Sequence, residues 1–421
     1  MMRQSPCSWR SYCKQLGRVA DRAFDVDRME QLGYFRVTQP METPAPSAEA
    51  VAPKSERLLS LDALRGFDLF WIVGGHGILI ALFKLTEWGW LGAIDAQLKH
   101  VDWNGFQAYD LIFPLFLFMA GVSTPYSLTR RLTEGARSEV IRKVIQRGLI
   151  LVLLGIIYNN GLQWKGLENM RLGSVLGRIG LAGMFAQLIF AFNFETPKRL
   201  WAWLAGILLG YWAIMSFGHA PGFAAGDLTM EGNFASYVDR LLLPGKLHKG
   251  IHDPEGLLAI IPAIGNALLG ILAGLWLRRS AEEVSGDRKA AGLALAGLAL
   301  LAVGGLWSFV FPLNKNLWTS SFVLWTCGWS SLLLASFYWL IDVRGWARGF
   351  GAFFAVIGMN SVLIYMSGKF LNFDFTGQAL FGGLARAFPP AVASVILVTG
   401  IFAVKWLLFW FLKRQKIFLK V

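Results

Sequence analysis

The side chains with the most chemical potential lie in two apolar stretches and in the polar loop that joins them. The first stretch is RLLSLDALRGFDLFWIVGGHG, residues 57–77, and the second is FQAYDLIFPLFLFMAGVS, residues 106–123. Ionisable groups in apolar runs of membrane length are costly to bury and usually have a function. Together the two runs hold Asp62, Arg65, Asp68, His76 and Asp110.

His100 lies in the joining loop, within the segment KHVDWNG. An imidazole titrates near neutral pH, which suits a general base or a nucleophile. Asp102 and Asn104 follow closely enough to orient the ring, and Asp110 opens the next apolar run on the same side. A loop histidine at a membrane interface is more often a solvated or packing residue, so that alternative stays open.

Asp62, Arg65 and Asp68 recur at a spacing of three, which places the arginine against both acids on one helical face. One interpretation is a structural ion-pair cluster that anchors the inner end of the first span. The other is a site for a charged ligand, because a guanidinium binds two phosphate oxygens at once. His76 is equally consistent with a buried packing residue and with a site residue, since its flanking glycines permit close approach.

Further polar residues occur in or beside later apolar runs. Arg147 and Arg178 require either a carboxylate partner or a polar cavity. Asn360, in GMNSVLIY, is expected to bond a neighbouring helix or to line a cavity. His248 and His252 have the spacing of zinc ligands on a helix, but Gly250 argues against a helix there, so no metal site is predicted.

Composition predicts the class of protein. The chain has 421 residues, of which 55% are hydrophobic, and many runs approach the length of about 20 residues that crosses a bilayer. We therefore predict an all-α polytopic membrane protein with about ten spans. The apolar runs lie at roughly 62–85, 108–128, 141–159, 172–193, 199–217, 256–277, 290–311, 318–341, 350–368 and 389–412.

The net charge of +13 would suggest nucleic-acid binding in a soluble protein. Here Lys and Arg concentrate in the segments 130–147, 198–199, 278–289 and 344–348 and after residue 412, so the positive-inside rule explains the excess. The rule places both termini in the cytoplasm and turns His100 and the 218–255 loop outward. No nucleic-acid-binding motif is present, and Cys7, Cys13 and Cys327 form no CxxC pair.

Three regions are predicted along the chain. Residues 1–56 are polar and rich in Pro, Ala and Ser, which predicts a disordered cytoplasmic tail. Residues 57–414 form the transmembrane domain, and residues 415–421 form a short cytoplasmic tail.

Several segments carry a family resemblance, in the same order between about residues 57 and 366. They are SLDALRGFDLFWI, KHVDWNGFQAYDLIFPLFLFMAGVS, RLGSVLGRIG, GNFASYVDRLLL, DPEGLL, PLNKNLW and GMNSVLIY. With these segments the chain resembles the transmembrane acyltransferases typified by heparan-alpha-glucosaminide N-acetyltransferase, in a form like that of the bacterial members. Any one segment is a weak signal, but their combined spacing is specific.

The resemblance implies transfer of an acetyl group from cytosolic acetyl-CoA to the amino group of a glucosamine-like sugar across the membrane. His100 is then the acetyl acceptor or general base, Asp110 holds its ring, and amide or asparagine donors stabilise the oxyanion. The residues expected to bind acetyl-CoA are Arg65, Arg147, Arg178 and His76. Those expected to bind the acceptor are Asn104, Asp253, Asn314, Asn316 and Asn360.

The resemblance has two departures. His76 stands where the typifying enzyme has an asparagine, and Gly177 stands where a glutamine is usual. A bacterial envelope sugar or muropeptide is therefore as acceptable an acceptor as heparan. The expected partners are acetyl-CoA, an amino-sugar or glycan acceptor and the lipid bilayer of a bacterial plasma membrane, with a homodimer as an option and neither nucleic acid nor metal.

Two other functions stay open. A secondary transporter for an amino sugar also has intramembrane charges and glycine-interrupted helices. Transfer of a different acyl group to a hydroxyl is the third option, because a fold resemblance alone does not determine the substrate.

Overall fold

Residues 58–419 are described by a computed structural model and are helical along most of their length. The predicted tail 1–56, with Cys7 and Cys13, lies outside the described residues, and the domain boundaries stay predictions. The helices are α1 Leu59–Phe70, α2 His76–Thr86, α3 Gly89–Gln97, α4 Ile112–Thr133, α5 Arg137–Asn160, α6 Val175–Phe192, α7 Arg199–Phe217, α8 Phe234–Leu242, α9 Ile260–Leu277, α10 Gly286–Trp307, α11 Ser320–Phe337, α12 Arg348–Gly358, α13 Ser361–Phe370, α14 Phe373–Ala385 and α15 Pro390–Arg414.

The helices confirm a polytopic all-α membrane protein. Within residues 58–419, eight helical segments are long and apolar enough to cross a bilayer, or nine if the bent pair α12 and α13 counts as one span. The eight are Leu59–Thr86, Ala108–Thr133, Val175–Phe192, Arg199–Phe217, Ile260–Leu277, Gly286–Trp307, Ser320–Val343 and Pro390–Arg414.

Of the ten predicted runs, 350–368 corresponds to the bent pair α12 and α13, and 141–159 is the one that is not among the eight or nine candidate spans. It corresponds to α5, whose 24 residues are long enough to cross at about 1.5 Å per residue. Its first half carries Arg142, Lys143 and Arg147, and it ends at Asn160, so it is less apolar than the other spans. Helix α5 packs lengthwise against α6.

Contacts between loops define two ends of the helix bundle. At one end, called the basic end below, helix ends and the loops beside them meet through Arg137–Glu195, Arg278–Thr129 and Arg344–Asp287. At the other, called the site end, they meet through Asn314–Asn104, Arg171–Asp253 and the Trp103 indole on the Leu228 carbonyl. The loops grouped by charge in the sequence therefore share one end. The orientation of the two ends in the membrane stays a prediction.

Glycines allow the helices near the site to pack with their backbones in contact. A Cβ added to Gly66 of α1 would lie 1.8 Å from the carbonyl oxygen of Phe354 in α12. In the same way, a Cβ on Gly121 of α4 would lie 2.1 Å from the Ala267 carbonyl oxygen in α9. Small residues permit this approach between membrane helices. The packing brings α1, which carries Arg65, close to the bend between α12 and α13.

The first predicted span, 62–85, is broken in its middle. A π-helical turn, Trp71–Gly75, separates α1 from α2, and Gly74 is extended with a φ of 171°. The break frees the Val73 carbonyl, which accepts a hydrogen bond from Lys405 Nζ of α15 at 2.7 Å. A backbone group freed inside a membrane needs such a partner. Leu59–Thr86 still counts as one candidate span, so the predicted span is confirmed, whereas periodicity does not reveal the π turn within it.

The 218–255 segment contains a helix that the sequence did not predict. Asn233 caps α8 by accepting a hydrogen bond from the backbone N–H of Ser236. Helix α8 buries Ser236 and Asp239 against the rest of the segment. The segment therefore forms a folded cover beside the site rather than an open loop.

Candidate active site

His100 and Asp110 form a hydrogen-bonded pair at the site end. His100 Nδ1 lies 2.7 Å from Asp110 Oδ1. Asp110 belongs to the short 3-10 turn Ala108–Leu111, is fully buried, and also accepts the Gln107 backbone N–H at 3.1 Å. The histidine side chain is 48% exposed. With its Nδ1–H donated to the carboxylate, the ring keeps a lone pair on Nε2, which suits it to take a proton or an acyl group.

Lys315 completes this cluster, although it was not among the predicted site residues. Its Nζ lies 3.1 Å from Asp110 Oδ1, 2.9 Å from His100 Nδ1 and 3.3 Å from His100 Nε2. Burial lowers the pKa of Lys315 below the ordinary lysine value, while the Asp110 carboxylate acts in the opposite direction. The available signal was its position between Asn314 and Asn316 in PLNKNLW.

The predicted acceptor residues Asn104, Asn314 and Asn316 join two loops of the site. The Asn314 amide donates to Asn104 Oδ1 at 2.9 Å, and Asn314 Oδ1 accepts the Leu317 backbone N–H at 2.9 Å. Asn316 Nδ2 donates to the Asp102 carbonyl at 3.4 Å. These contacts position the His100 loop against the Lys315 loop. Asn104 and Asn314 use side-chain groups to hold the two loops together.

Asp253 forms an ion pair with Arg171. Arg171 donates to both of its oxygens, at 2.9 Å from Nε and 2.7 Å from Nη2. Its carboxylate also accepts the backbone N–H groups of His248 and Glu255. Burial by itself raises the pKa of Asp253, but Arg171 and these N–H donors hold it below the ordinary value. Its oxygens are therefore already engaged in the resting site, and the assignment of Asp253 to the acceptor stays a prediction.

His252 links the His100 loop to α8, through contacts with Trp103 and Ser236. Its Nδ1 lies 2.7 Å from Ser236 Oγ, and its ring packs edge-on against Trp103 at 5.2 Å between centroids. Burial lowers the pKa of His252 to about 4, so the ring is neutral at physiological pH. His248 and His252 do not lie on a helix. Among residues 58–419, no group of three or more His, Cys, Asp or Glu side chains is placed to hold a metal ion.

His76 lies on the His100 side of the bundle, not with the arginines to which it was assigned. Its Nε2 is 3.2 Å from Asp95 Oδ1. Its ring centroid is 5.7 Å from that of Tyr109, which in turn is 4.8 Å from that of His100. His76 follows Arg65 by eleven residues, which is about 16 Å along a helix and explains the difference from the prediction.

Arg65 and Arg147 line a cavity of about 500 Å³, called the central cavity. Arg65 is 3.6 Å from Asp62 and also bonds the Met119 carbonyl at 3.3 Å and the Ser123 hydroxyl. The other lining residues come from α1, α4, α5, α6, the α12–α13 bend and the C-terminal segment: Asp62, Leu69, Ile72, Phe113, Phe116, Ala120, Leu151, Val175, Leu176, Ile179, Gly358, Met359, Ser361, Val362, Tyr365 and Leu419.

A second, smaller cavity continues from the central cavity toward Lys315. Its volume is about 20 Å³, roughly that of one water molecule. The two cavities share Phe113, Val175 and Ile179, so these three side chains form the wall between them. The remaining lining residues are Leu117, Arg178, Pro254, Glu255, Lys315 and Trp318. The small cavity therefore lies between the central cavity and Lys315, whose Nζ contacts His100.

Arg178 lies in this small cavity and not beside the other predicted arginines. Ser174 caps α6, which places Arg178 in its first turn at the site end. The guanidinium lies 4.5 Å from the Trp318 ring and donates to the Pro254 carbonyl. Arg178 is separated from Arg65 and Arg147 because α6 runs from the site end toward the basic end, and its role in binding acetyl-CoA stays a prediction.

Asn360 bonds the C-terminal segment rather than the acceptor loops. Its Nδ2 donates to the Ile417 carbonyl at 2.8 Å, and its Oδ1 accepts the Leu419 N–H at 3.2 Å. Leu419 then lines the central cavity. The residue predicted to bind the acceptor instead holds residues 417–419 against the cavity that Arg65 and Arg147 line.

Two curated relatives share much of this sequence. Heparan-alpha-glucosaminide N-acetyltransferase of Mus musculus is 29% identical over 379 residues, which cover 76% of this chain and 56% of the mouse protein. The Homo sapiens enzyme of the same name is 28% identical over 457 residues, which cover 94% of this chain and 65% of the human protein. The chain thus spans less than two thirds of the length of either relative.

The family model described as "Heparan-alpha-glucosaminide N-acetyltransferase, catalytic" matches residues 57–311, which is more than half of the chain. The match includes His100, Asp110, Arg65 and Arg147, and it ends before Lys315. Together with the membrane-spanning helices, it shows that this integral multi-pass membrane protein belongs to the heparan-alpha-glucosaminide N-acetyltransferase catalytic family.

Proposed function

We propose that the protein is an acetyl-CoA-dependent N-acetyltransferase that acetylates an amino sugar on the side of the membrane opposite the donor. The observation that carries the proposal is that two adjacent cavities lie between Arg65 and Arg147 on one side and Lys315, which contacts the His100–Asp110 pair, on the other. A donor held in these cavities could deliver an acetyl group across a bilayer of about 30 Å, which acetyl-CoA does not cross freely.

The donor is proposed to occupy the central cavity. Arg65 and Arg147 would hold its phosphates, because guanidinium groups match phosphate oxygens in charge and geometry. The pantetheine arm would extend between α4 and α6 toward Lys315. The small cavity is too narrow for this arm as it stands, so Phe113 and Ile179 have to shift when the donor enters.

The chemistry is proposed to use the exposed face of His100. The acceptor amine attacks the thioester carbon directly or after the acetyl group has passed to Nε2. In the direct route an N–C bond forms, the C–S bond breaks, and the amine proton passes through His100 to the departing thiolate. Asp110 stabilises the imidazolium formed on the way, as an orienting carboxylate does in acyl transfer. In both routes the balance is one amide and one free thiol.

A glucosamine-like amino sugar is the proposed acceptor, with an envelope glycan as a natural source. The positive-inside rule would place the basic end and both termini in the cytoplasm of a bacterial plasma membrane. Acetyl-CoA would then enter from the cytoplasm and the amino sugar from outside. Exposure of the His100 side chain at the site end supports this division.

The test uses the purified full chain in proteoliposomes with radiolabelled acetyl-CoA and glucosamine. Wild type should form N-acetylglucosamine, and His100→Ala should lose the transfer while keeping acetyl-CoA binding. His219→Ala is a matched control, because His219 is an exposed histidine in the segment that follows α7. Full transfer by His100→Ala would rule out the catalytic assignment.

Transport is the alternative outcome of the same experiment. The break at residues 71–75 and the 57° bend between α12 and α13 are interruptions of the kind found in transporters. Uptake of labelled glucosamine without acetyl-CoA, together with no acetylated product, would favour a transporter and overturn the proposed enzyme.

A further inference from the structure

Lys315 lies between the donor path and the His100–Asp110 pair. We propose that Lys315 is a catalytic residue whose ammonium group binds the thioester carbonyl oxygen and stabilises the tetrahedral oxyanion during transfer. This inference rests on the proposed acetyltransferase function and deepens it. It replaces the asparagine donors expected from the sequence, because Asn104 and Asn314 bond each other.

The position of Lys315 is the first support. Lys315 lines the small cavity, whereas His100 stands beyond it on the exposed side. A thioester advancing from the central cavity past Phe113 therefore meets the Lys315 ammonium before the imidazole. The ammonium lies 5.6 Å from the ring centroid of Phe113, one of the side chains that line both cavities.

The fixed geometry of Lys315 is the second support. Its side chain is only 16% exposed, and Asp110 holds its Nζ at 3.1 Å. A donor that is oriented before the reaction stabilises developing charge without reorganising, and the effect is larger away from bulk water. The fully buried Asp110 carboxylate pairs with the ammonium in the resting site and offsets the desolvation cost of burying this charge.

The step balances without another reactant. The amine nitrogen, or His100 Nε2, forms a bond to the carbonyl carbon, and the π electron pair moves onto oxygen. An N–H of Lys315 donates a hydrogen bond to that oxyanion. The pair then returns to re-form the carbonyl, the C–S bond breaks, and sulfur leaves as thiolate. In the direct route the thiolate receives the amine proton that His100 Nε2 has accepted. In the covalent route Nε2 carries the acetyl group, and the thiolate is protonated when the amine attacks the acetyl-imidazolium and releases its proton. Lys315 keeps its own protons throughout.

A merely structural lysine would give a different set of results. If Lys315 only held the two loops together, its removal would weaken folding and would lower the rate equally for every donor. An oxyanion-binding lysine matters less when the carbonyl is already activated. Fluoroacetyl-CoA, whose carbonyl is more electrophilic, should therefore suffer a smaller loss than acetyl-CoA.

The experiment compares Lys315→Met, Lys315→Arg and the control Lys99→Met in proteoliposomes. Lys99 is an exposed neighbour of His100 that pairs with Asp95 at 2.8 Å. We expect Lys315→Met to lower kcat for acetyl-CoA by about a hundredfold or more. The same variant should keep its Kd for CoA, and its kcat should fall less with fluoroacetyl-CoA than with acetyl-CoA. Lys315→Arg should retain part of the wild-type kcat. Lys99→Met should match wild type.

Two results would overturn the inference. One is a Lys315→Met kcat within threefold of wild type. The other is an equal loss with both donors in folded, CoA-binding protein, which would make Lys315 structural. If Lys315→Met does not fold, Lys315→Arg is tested in its place. The proposed role is also contradicted if Lys315→Arg folds, retains no transfer activity and loses as much with fluoroacetyl-CoA as with acetyl-CoA. If wild type transfers no acetyl group at all, the proposed function fails first. If only His100→Ala loses transfer, the proposed function stands and this inference alone fails.

Discussion

The Asn314 side chain donates a hydrogen bond of 2.9 Å to Asn104, a residue 210 positions earlier in the chain. Asn314 precedes Lys315, and Asn104 follows His100 by four residues, so this one contact sets the two charged loops of the site against each other. The Gly105 N–H on the Leu313 carbonyl, at 2.8 Å, reinforces the same junction.

We predict that Asn314→Ala and Asn104→Ala each lower kcat by about tenfold and leave the KM for acetyl-CoA unchanged. The reason is that the contact positions the reacting groups but lies away from the donor cavity. The double variant should lose little more than either single variant, because both remove the same contact. Additive losses in the double-mutant cycle would mean that the asparagines act separately, for example on the acceptor.

Replacement of Arg65 or Arg147 by Met should raise the KM for acetyl-CoA by about tenfold or more, since a charged hydrogen bond is worth about 1.5–3 kcal/mol. Acetyl-pantetheine, which lacks the nucleotide phosphates, is the discriminating donor. The variants should use it as well as wild type does. An equal loss with both donors would show that the arginines shape the cavity rather than bind phosphate.

Asn360→Ala should speed the release of CoA several-fold, because it removes both hydrogen bonds that hold residues 417–419 beside the central cavity. Stopped-flow displacement of a fluorescent CoA analogue measures this rate directly. Asn169→Ala, in an exposed turn after α5, is the control. An unchanged release rate would show that the C-terminal segment does not cover the donor.

The transfer rate should fall on the alkaline side as Lys315 loses its proton. Burial lowers the pKa of Lys315 below the ordinary lysine value, and only the charged form binds an oxyanion, so activity is lost as pH rises through that lowered pKa. A pH profile of kcat for Lys315→Arg should lack this alkaline limb, since arginine stays charged. An identical limb in both proteins would assign it to another group.

His252 should make the cover over the site less stable in acid. Burial lowers the pKa of its ring to about 4 in the folded protein, whereas the unfolded chain binds a proton near the ordinary value of 6.5. The unfolded state thus binds more protons in this window, and stability falls with pH by up to about 3 kcal/mol. Asp239, whose pKa burial raises to about 6, acts in the opposite direction.

Thermal unfolding of wild type and His252→Gln at pH 7 and pH 5 separates the two groups, because both proteins keep Asp239. The Tm advantage of wild type over the variant should shrink at pH 5. His219→Gln, an exposed histidine, should show no such change. A constant Tm difference across the window would contradict a buried neutral His252.

The sequence by itself determined the class of fold and the family. Apolar runs of span length identify membrane helices because a bilayer requires about 20 apolar residues in a row, which is a local property of the chain. The charged segments that were grouped by sign also share one end of the bundle. His100 and Asp110 were proposed together because ten residues and one short loop separate them.

Only the tertiary structure decided which side chains meet. Lys315 contacts His100, which lies 215 positions earlier in the sequence. Arg171 forms an ion pair with Asp253, and Asp95 pairs with His76. The distance along the first span separates His76 from the arginines of the central cavity, and the direction of α6 separates Arg178 from them. Such partners depend on how distant helices pack, which local periodicity does not encode. The sequence therefore identifies the reactive side chains, whereas the contacts between them depend on the assembled helix bundle.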